Sequence, residues 1–359
     1  MVPRRATLKD VAALAGVSLG TVSNVVNNPD IVTPATRERV KMAISQLGWI
    51  PNESARQLRA GRSNAIGMLV LDIANPFFTD ILAMVEDSAH AESYSVQVGN
   101  SAGDPAREEM QLRLFERQRV GGVLYTPTHN VSPQAERLQQ HGIPVVLVDR
   151  EGDGIAHCSV SVDDVEGGRL ASSHLLELGH HRIAVVGGPS RLQQVRDRRL
   201  GAELAIEQRG SSADLLAIST PGLDAAAGIA AAGEIAAMAD TERPTAIFAI
   251  NDLLAIGLLQ GLTTHGMRVP DDMALIGYDD IVFAATAAVP LSSVRQPRDK
   301  IGHAAADLLF TEMAAVRDGT PHTHQSVHFT PELEVRRSTV GATPARRTSR
   351  RRSPAKSRA

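Results

Sequence analysis

Three groups of residues have types and spacings that could do chemistry. The first is a run of small polar side chains, Ser18, Thr21, Ser23, Asn24 and Asn27, followed by Arg37. Hydroxyls, amides and a guanidinium of this kind hold phosphate oxygens, which position a protein on nucleic acid without reading sequence. An asparagine such as Asn24 is also able to pair in two-pronged fashion with the adenine edge. The second is Leu58, set between Arg56 and Arg59. An apolar side chain flanked by arginines suits a wedge driven into a minor groove, with the arginines near phosphates. The third is a set of polar residues placed just after apolar runs: Asn75 with Phe77 and Phe78, Asp149-Arg150, Asn251-Asp252 and Asp279-Asp280, with Gln296 in a later Val-Arg-Gln-Pro stretch. Carboxylates and amides suit the hydroxyls of a sugar, and a phenylalanine suits its ring face. Asp252 and Asp280 read instead as helix caps.

Stepping out from these residues, the elements that must position them are short helices first. Thr7 reads as an N-cap with Asp10 favourable in the first turn. Leu8, Val11, Ala12 and Ala15 then share one face. Gly16-Val17 turns the chain, Ser18 caps a second helix, and Val22, Val25 and Val26 point inward. Two helices joined by a tight glycine turn are a helix-turn-helix. A third helix opens at Thr33-Pro34 and stops at Gly48. Asn52 opens a short segment through Leu58, too short to be helical alone, and residues 59–63 read as a linker.

From Ala65 the pattern changes to apolar strands alternating with helices. Strands are expected at 66–71, 94–98, 122–125, 145–149, around 160, and at 183–186, 216–219, 246–250 and 274–277. Helices fall between them, among them Pro76–Ala91, 104–118 and 165–178. This is the grammar of parallel, doubly wound sheets, where ligands lie beyond the carboxyl ends of strands. The units are too many for one sheet, so the body divides into two lobes near 162. A strand at 293–295, a helix over 299–317 and short strands near 327 and 333–335 imply later crossings near 290 and 320.

The net charge of −3 conceals an asymmetry: residues 1–62 carry nine Lys/Arg and four Asp/Glu, and residues 341–359 carry seven Lys/Arg and no acid. Basic ends on an acidic body point the ends, not the body, at a polyanion. The last segment, rich in Arg, Ser and Pro, is expected to be a disordered tail. Cys158 is the single cysteine, so no disulfide framework forms within the chain,. No apolar run spans a bilayer, and the N-terminal MVPRRATLKD lacks the apolar core of a signal peptide. A cytoplasmic protein is expected. There is no G-x-x-x-x-G-K-[ST] and no H-E-x-x-H, so no enzyme is expected. His322, His324 and His328 could lie together on a strand around a metal, but solvated surface histidines are the reading taken, and no metal or cofactor is assigned.

The runs TLKDVAALAGVSLGTVSNVVN and TPATRERVKMAISQLGWIPNESARQLRAGRS resemble the lactose-repressor (LacI/GalR) family of transcriptional regulators. The resemblance covers roughly residues 6–340. It implies a small all-α helix-turn-helix head at 1–50, a hinge helix and linker at 51–62, and a two-lobed α/β body at 63–340. That body is a doubly wound parallel-sheet structure similar to periplasmic binding proteins.

The resemblance also assigns roles. Leu19, Gly20 and Asn24 fall where the family reads base edges; many members carry arginine at the place of Asn24, which puts the operator sequence in question rather than DNA binding. The full DNA-facing set is then Thr7, Ser18, Leu19, Gly20, Thr21, Ser23, Asn24, Asn27 and Arg37, with Asn52, Ala55, Arg56, Leu58 and Arg59 in the hinge. Arg196, in VRDRRLG, matches the first arginine of a family stretch that contacts effector. Leu223 stands where the family often has an aromatic. The effector set is Asn75, Phe77, Phe78, Asp149, Arg196, Leu223, Asn251, Asp279 and Gln296. The implied function is a homodimeric repressor of sugar or small-metabolite genes that leaves a near-palindromic operator when effector closes the cleft. A corepressor-type regulator using the same cleft is the alternative, and a solute-binding protein is a weaker one, since the chain carries a DNA head.

Overall fold

Helical periodicity, glycine stops and runs of β-branched residues decide the elements, and a computed structural model shows how they assemble. It describes residues 6–49, 63–152, 156–209 and 213–340. The chain divides into two compact units between Ser63 and Asn64.

The first unit is all helical. Helix α1 (Leu8–Ala15) opens on a capping box: Thr7 accepts from the Asp10 N–H and Asp10 accepts from the Thr7 N–H,. It ends at Gly16, whose φ of 63° only glycine adopts without strain,. Helix α2 (Leu19–Asn27) is capped by Ser18, which accepts from the Thr21 N–H at 3.1 Å. A single 3-10 turn (Pro29–Ile31) leads to α3 (Pro34–Leu47), closed by Gly48 in the left-handed region. Thr33 occupies the N-cap position of α3, but its hydroxyl donates to Thr36 Oγ1 rather than accepting a backbone N–H. Val11, Ala12, Ala15, Val22, Val25, Val40 and Ala43 make the core, with Trp49 packed against it. Val26, expected inward, is only half-buried and lies outside that core.

The second unit holds two six-stranded sheets. The first runs in the order β11-β5-β4-β3-β1-β2 and is parallel throughout. Its strands are β1 (Ala65–Val70), β2 (Ser95–Asn100), β3 (Val123–Tyr125), β4 (Val145–Val148), β5 (Cys158–Val162) and β11 (Ser326–Phe329). Its helices are α4 (Pro76–Ala91), α5 (Pro105–Gln118) and α6 (Pro133–Gln140), joined by the late α12 (Arg298–Asp318). The second sheet runs β12-β10-β9-β8-β6-β7, parallel except where β12 meets β10. Its strands are β6 (Arg182–Val186), β7 (Asp214–Ile218), β8 (Ala246–Ala249), β9 (Ala274–Asp279), β10 (Ser292–Arg295) and β12 (Glu332–Glu334). Its helices are α7 (Asp164–Glu177), α8 (Gln193–Arg209), α9 (Ala225–Ala236), α10 (Asp252–Thr264), α11 (Val282–Thr286) and α13 (Arg337–Val340).

The chain passes between sheets three times, after β5, after β10 and after β11. The last passage is at Thr330-Pro331, later than the expected 320, because α12 and β11 return to the first sheet before the chain leaves it. Strands buried on both faces, such as β1, β4 and β8, are fully covered along their length. That is the parallel-sheet condition.

One close crossing matters for the site. A Cβ on Gly168 of α7 would strike the Arg198 carbonyl oxygen, and one on Gly201 of α8 would strike the Val165 carbonyl oxygen. The two helices touch backbone to backbone only because both positions are glycine. This holds Arg198 hard against the start of α7.

Candidate functional site: the DNA-facing head and a buried polar cluster between two sheets

In the head, the first turn of α2 is the exposed end. Ser18, Leu19 and Gly20 are exposed, Leu19 to 42%. An apolar side chain standing in solvent at a helix N-terminus, beside a glycine, leaves room for a groove edge to approach. Thr21, Ser23 and Asn24 are half-buried on the next turn. Ser18 and Thr21 bond to each other at 2.9 Å, and Asn27 donates to Ser23 O at 2.9 Å and Ser23 Oγ at 3.1 Å. These pairs hold side chains in fixed rotamers on the exposed face. Arg37 lies 3.9 Å from Asp30, a loose surface pairing. Thr7 is engaged in its capping box. Asn52, Ala55, Arg56, Leu58 and Arg59 lie outside the described residues.

In the body, the polar residues meet where both sheets present carboxyl ends of strands. Asp149 follows β4 of the first sheet and Asp279 ends β9 of the second. Both have positive φ, 56° and 99°, and Asp280 has 52°. Non-glycine residues held there store strain, a pattern that concentrates at ligand sites. Asn75 caps α4 by accepting from the Phe77 N–H at 3.1 Å, and its amide donates across to Asp279 Oδ2 at 3.0 Å. Gln296, at the second passage between sheets, donates to Asp279 Oδ1 at 2.8 Å. Phe77 and Phe78 meet edge to face, centroids 5.0 Å apart, and both are buried.

Asn75, Phe77, Phe78, Asp149, Leu223, Asn251 and Asp279 surround one cavity of about 30 Å³. Asn251 is an N-cap, accepting from the Leu254 N–H and donating to Leu223 O. Gln296 stands beside the group rather than in the wall. A neighbouring hollow of about 220 Å³ shares Asp149 and Gln194. A larger hollow, about 740 Å³, is lined by Gln296 with Asp80, Arg298 and Thr330. The buried carboxylates with positive φ mark the smaller cavity as the candidate site.

Arg196 is not part of this group. It is exposed, and its guanidinium donates to the carbonyls of Ser190 and Arg191. Arg198 lies in the cluster instead and lines its cavity. Two residues along a helix turn the side chain by about 200°, so Arg196 and Arg198 point to opposite sides of α8. Arg198 is 4% exposed, donates to Asp164 Oδ1 at 2.8 Å and to Ile250 O at 2.9 Å, and lies 3.5 Å from Asp279 Oδ1. Its guanidinium stacks on the Tyr278 ring at 3.6 Å,. Gln194, four residues earlier on the same face, donates to Asp149 O and Oδ2. Both residues were legible as a buried face of α8, with Val195, Ala202 and Ala205, had its phase been followed.

Asp252 and Asp280 are not caps. Asp252 is fully buried and accepts from the Ile281 N–H and the Ser293 hydroxyl. Asp280 pairs with Arg295 and Arg336, each at 2.7 Å. They buttress the loop that carries Asp279.

The electrostatics are unbalanced. Asp149, Asp164 and Asp279 share one guanidinium. Burial, then the neighbouring Asp164 carboxylate, pushes the Asp149 carboxyl up to about 8. Burial raises Asp279 as well, and it lifts Asp252 well above the usual carboxylate range. Burial alone would lower the Arg198 guanidinium, but the surrounding carboxylates, Asp164 first, hold it more firmly charged than in water. Among the described residues no donor reaches Asp149 Oδ1 or Gln296 Oε1, both buried. Protonated at neutral pH, Asp149 offers an O–H at Oδ1 while Gln296 Oε1 is an open acceptor, so the cluster suits a neutral partner whose hydroxyls both donate and accept,.

Residues 7–52 match the family described as bacterial regulatory proteins, lacI family, and residues 172–339 match the periplasmic binding protein-like domain. The chain is 34% identical over 336 residues to the HTH-type transcriptional repressor PurR of Vibrio atlanticus, covering 93% of this chain and 98% of that protein. Among solved structures it is similar to a transcriptional regulator CelR–cellobiose complex, at 31% identity with a TM-score of 0.66, over 93% of this chain and 100% of that one. It is also similar to the lac repressor dimer bound to operator and the anti-inducer ONPF, at 27% identity with a TM-score of 0.78, over 94% and 99% of the two chains.

Proposed function

The chain belongs to the lacI family of bacterial regulatory proteins, and from that premise we propose how its residues divide the work. It is a DNA-binding transcriptional repressor with an effector-binding body, whose partners are operator DNA and a small molecule. Two chains pair as a dimer and set one head on each half of a near-palindromic operator. Leu19, Gly20 and Asn24 meet base edges. Thr7, Ser18, Thr21, Ser23, Asn27 and Arg37 position the head, with Asn52, Ala55, Arg56, Leu58 and Arg59 as the hinge contacts. The protein acts in the cytoplasm, on the nucleoid.

The effector is a sugar or a related neutral, hydroxyl-rich metabolite. Asp149, Arg198 and Asp279 hold its hydroxyls with Asn75, Asn251 and Gln296, while Phe77, Phe78 and Leu223 supply the apolar face. The observation that carries this reading is the pair of buried oxygens, Asp149 Oδ1 and Gln296 Oε1, that meet no hydrogen-bond partner among the described residues. A polyol both donates and accepts without adding charge. Binding closes the cleft and releases the operator. The similarity to a regulator solved with cellobiose supports the class.

Mobility-shift titrations on the DNA upstream of the protein's own coding region test the reading, run with a panel of sugars and nucleobases and paired with calorimetry. Sequence-specific binding that one sugar weakens is expected. A ligand that tightens operator binding would reverse the sign of the coupling. A panel in which only nucleobases bind would overturn the sugar assignment.

A further inference from the structure

Away from the cleft, a second set of side chains converges on the outer strand of the first sheet. Cys158 begins β5, Glu312 lies in the last two turns of α12, and His322 and His324 precede β11. Strand β11 pairs with β5 in parallel, with Gln325 O accepting from the Ser159 N–H, so this pairing delivers the two histidines beside the cysteine. Alternate residues of an extended segment share a face. His322 and His324 therefore both turn toward Glu312.

The four ligand atoms lie within 4.8 Å of one another. His322 Nε2 is 3.2 Å from Cys158 Sγ and 3.5 Å from Glu312 Oε1, and His324 Nδ1 is 2.7 Å from Glu312 Oε1. Zinc bonds of roughly 2.3 Å to sulfur and 2.0–2.2 Å to nitrogen and oxygen give a tetrahedron with edges of roughly 3.3–3.6 Å. The observed spacings bracket that edge, so small rotations of the histidines complete the tetrahedron.

Two further observations point to a cation. Glu312 is 4% exposed and its Oε2 has no hydrogen-bond partner among the described residues. The Gln325 N–H donates to Cys158 Sγ at 3.3 Å, the kind of outer bond that steadies a metal thiolate,. The histidines are partly exposed and give an ion a way in.

We propose that Cys158, Glu312, His322 and His324 form a closed, four-ligand site for a divalent transition metal, zinc by the softness of its thiolate and imidazole ligands. The ion fastens the segment entering β11 to both β5 and α12. Helix α12 and β11 lie between the second and third passages of the chain between sheets, and β5 leads into the first, so the clip ties together the stretches on which the passages are anchored. His328 takes no part: its ring bonds Ser161 Oγ at 2.9 Å.

Cobalt(II) titration of the chelator-treated full chain tests the site. The expected result is ligand-field bands of tetrahedral intensity with a near-ultraviolet thiolate-to-cobalt band, saturating at equimolar metal and bleached by equimolar zinc. Cys158→Ser loses the thiolate band. His324→Ala, a change at a partly exposed position that leaves the core intact, weakens binding at least about a hundredfold. A His180→Ala/His181→Ala variant binds as the unmodified chain does. Zinc also raises the melting temperature of the unmodified protein and not that of His324→Ala. The proposal falls if the thiolate band never appears, if it persists in Cys158→Ser, or if zinc stabilises His324→Ala to the same extent.

Discussion

Arg196 and Arg198 provide the sharpest separation between a motif and a geometry. Arg198→Ala removes the one cation from a buried group of three carboxylates, breaking contacts of 2.8 Å to Asp164 and 3.5 Å to Asp279 and a cation–π stack on Tyr278. Deleting one partner of a buried ion pair costs about 3–5 kcal/mol, since the other is left desolvated and unpaired. For a unit of this size that is a fall in melting temperature of roughly 5–9 °C. Arg196→Ala removes two hydrogen bonds from an exposed guanidinium to carbonyls that water can reach. Its cost should stay under about 1 kcal/mol.

Differential scanning calorimetry reads the stabilities. Isothermal calorimetry reads effector binding, and operator anisotropy shows whether the head still works. Arg198→Lys keeps the charge but not the fork, and separates lost ligand contacts from lost folding. The expectation is normal effector binding in Arg196→Ala and none in Arg198→Ala or Arg198→Lys, with operator binding retained in Arg198→Lys. Loss of effector binding in Arg196→Ala with retention in Arg198→Lys would refute the assignment.

Other consequences are as direct. The folded Asp149 carboxyl sits at about 8 against an ordinary 3.8, so the folded state holds its proton more tightly than the unfolded one, and stability is present at low pH and is lost as pH rises from about 4 to 8; Asp149→Asn should flatten that fall and stabilise the protein at pH 8 by up to a few kcal/mol, read from urea midpoints across pH. Gly201→Ala drives a methyl into the Val165 carbonyl, where only backbone can yield, and should cost about 1–3 kcal/mol in thermal unfolding while an exposed change such as Leu200→Ala costs far less. Asn24→Ala should cost about 1–3 kcal/mol on operator and flatten preference at one base pair per half-site; an equal loss on every sequence would place Asn24 on the backbone alone. Ser18→Ala removes the cap of α2 and should lower the head's stability by about 1 kcal/mol, measured by circular dichroism melts,.

The body was legible in sequence because its strands are buried on both faces and so read as unbroken apolar runs. Pro76–Ala91 is the helix the pattern predicts to the residue, since a proline opens it and its own cap, Asn75, precedes it. Strand ends moved by a residue or two, as at β7, where Asp214 and Leu215 pair with β6 although Asp214 is exposed and Leu215 only partly buried. Less legible were roles decided by phase and by distant pairing. The motif VRDRRLG offers three arginines, and only the face shared with Gln194 and Val195 selects Arg198. The aspartates after β8 and β9 resemble caps locally, yet Asp252 and Asp280 are held by Ser293 and Arg295 of β10 and by Arg336 just past β12, all of which arrive later in the chain. Cys158 gave no signal at all beside two histidines 164 and 166 positions away, because nothing local says that β11 returns to pair with β5.

Asp279 shows why binding and lobe geometry cannot be independent in this body. Its carboxylate receives Asn75 from the first sheet's side and Gln296 from the passage between sheets, and Arg198 approaches from α8. The cavity beside it, about 30 Å³, has room for about one water molecule,. A sugar therefore cannot enter as an addition to the existing contacts. It must take over acceptors now used by Asn75 and Gln296, and those are among the bonds that set the two sheets against each other. Each hydroxyl exchanged for a protein donor changes the total hydrogen bonding little, so the net free energy left to bias the lobes is a small difference between large terms. Coupling of about 1–3 kcal/mol, typical of linked sites, follows from such an exchange, and by linkage operator must change effector affinity by the same factor. The strained φ of Asp149 and Asp279 serves the same end. A carboxylate held out of its relaxed backbone conformation is already placed for the ligand, so less of the binding energy is spent on ordering it.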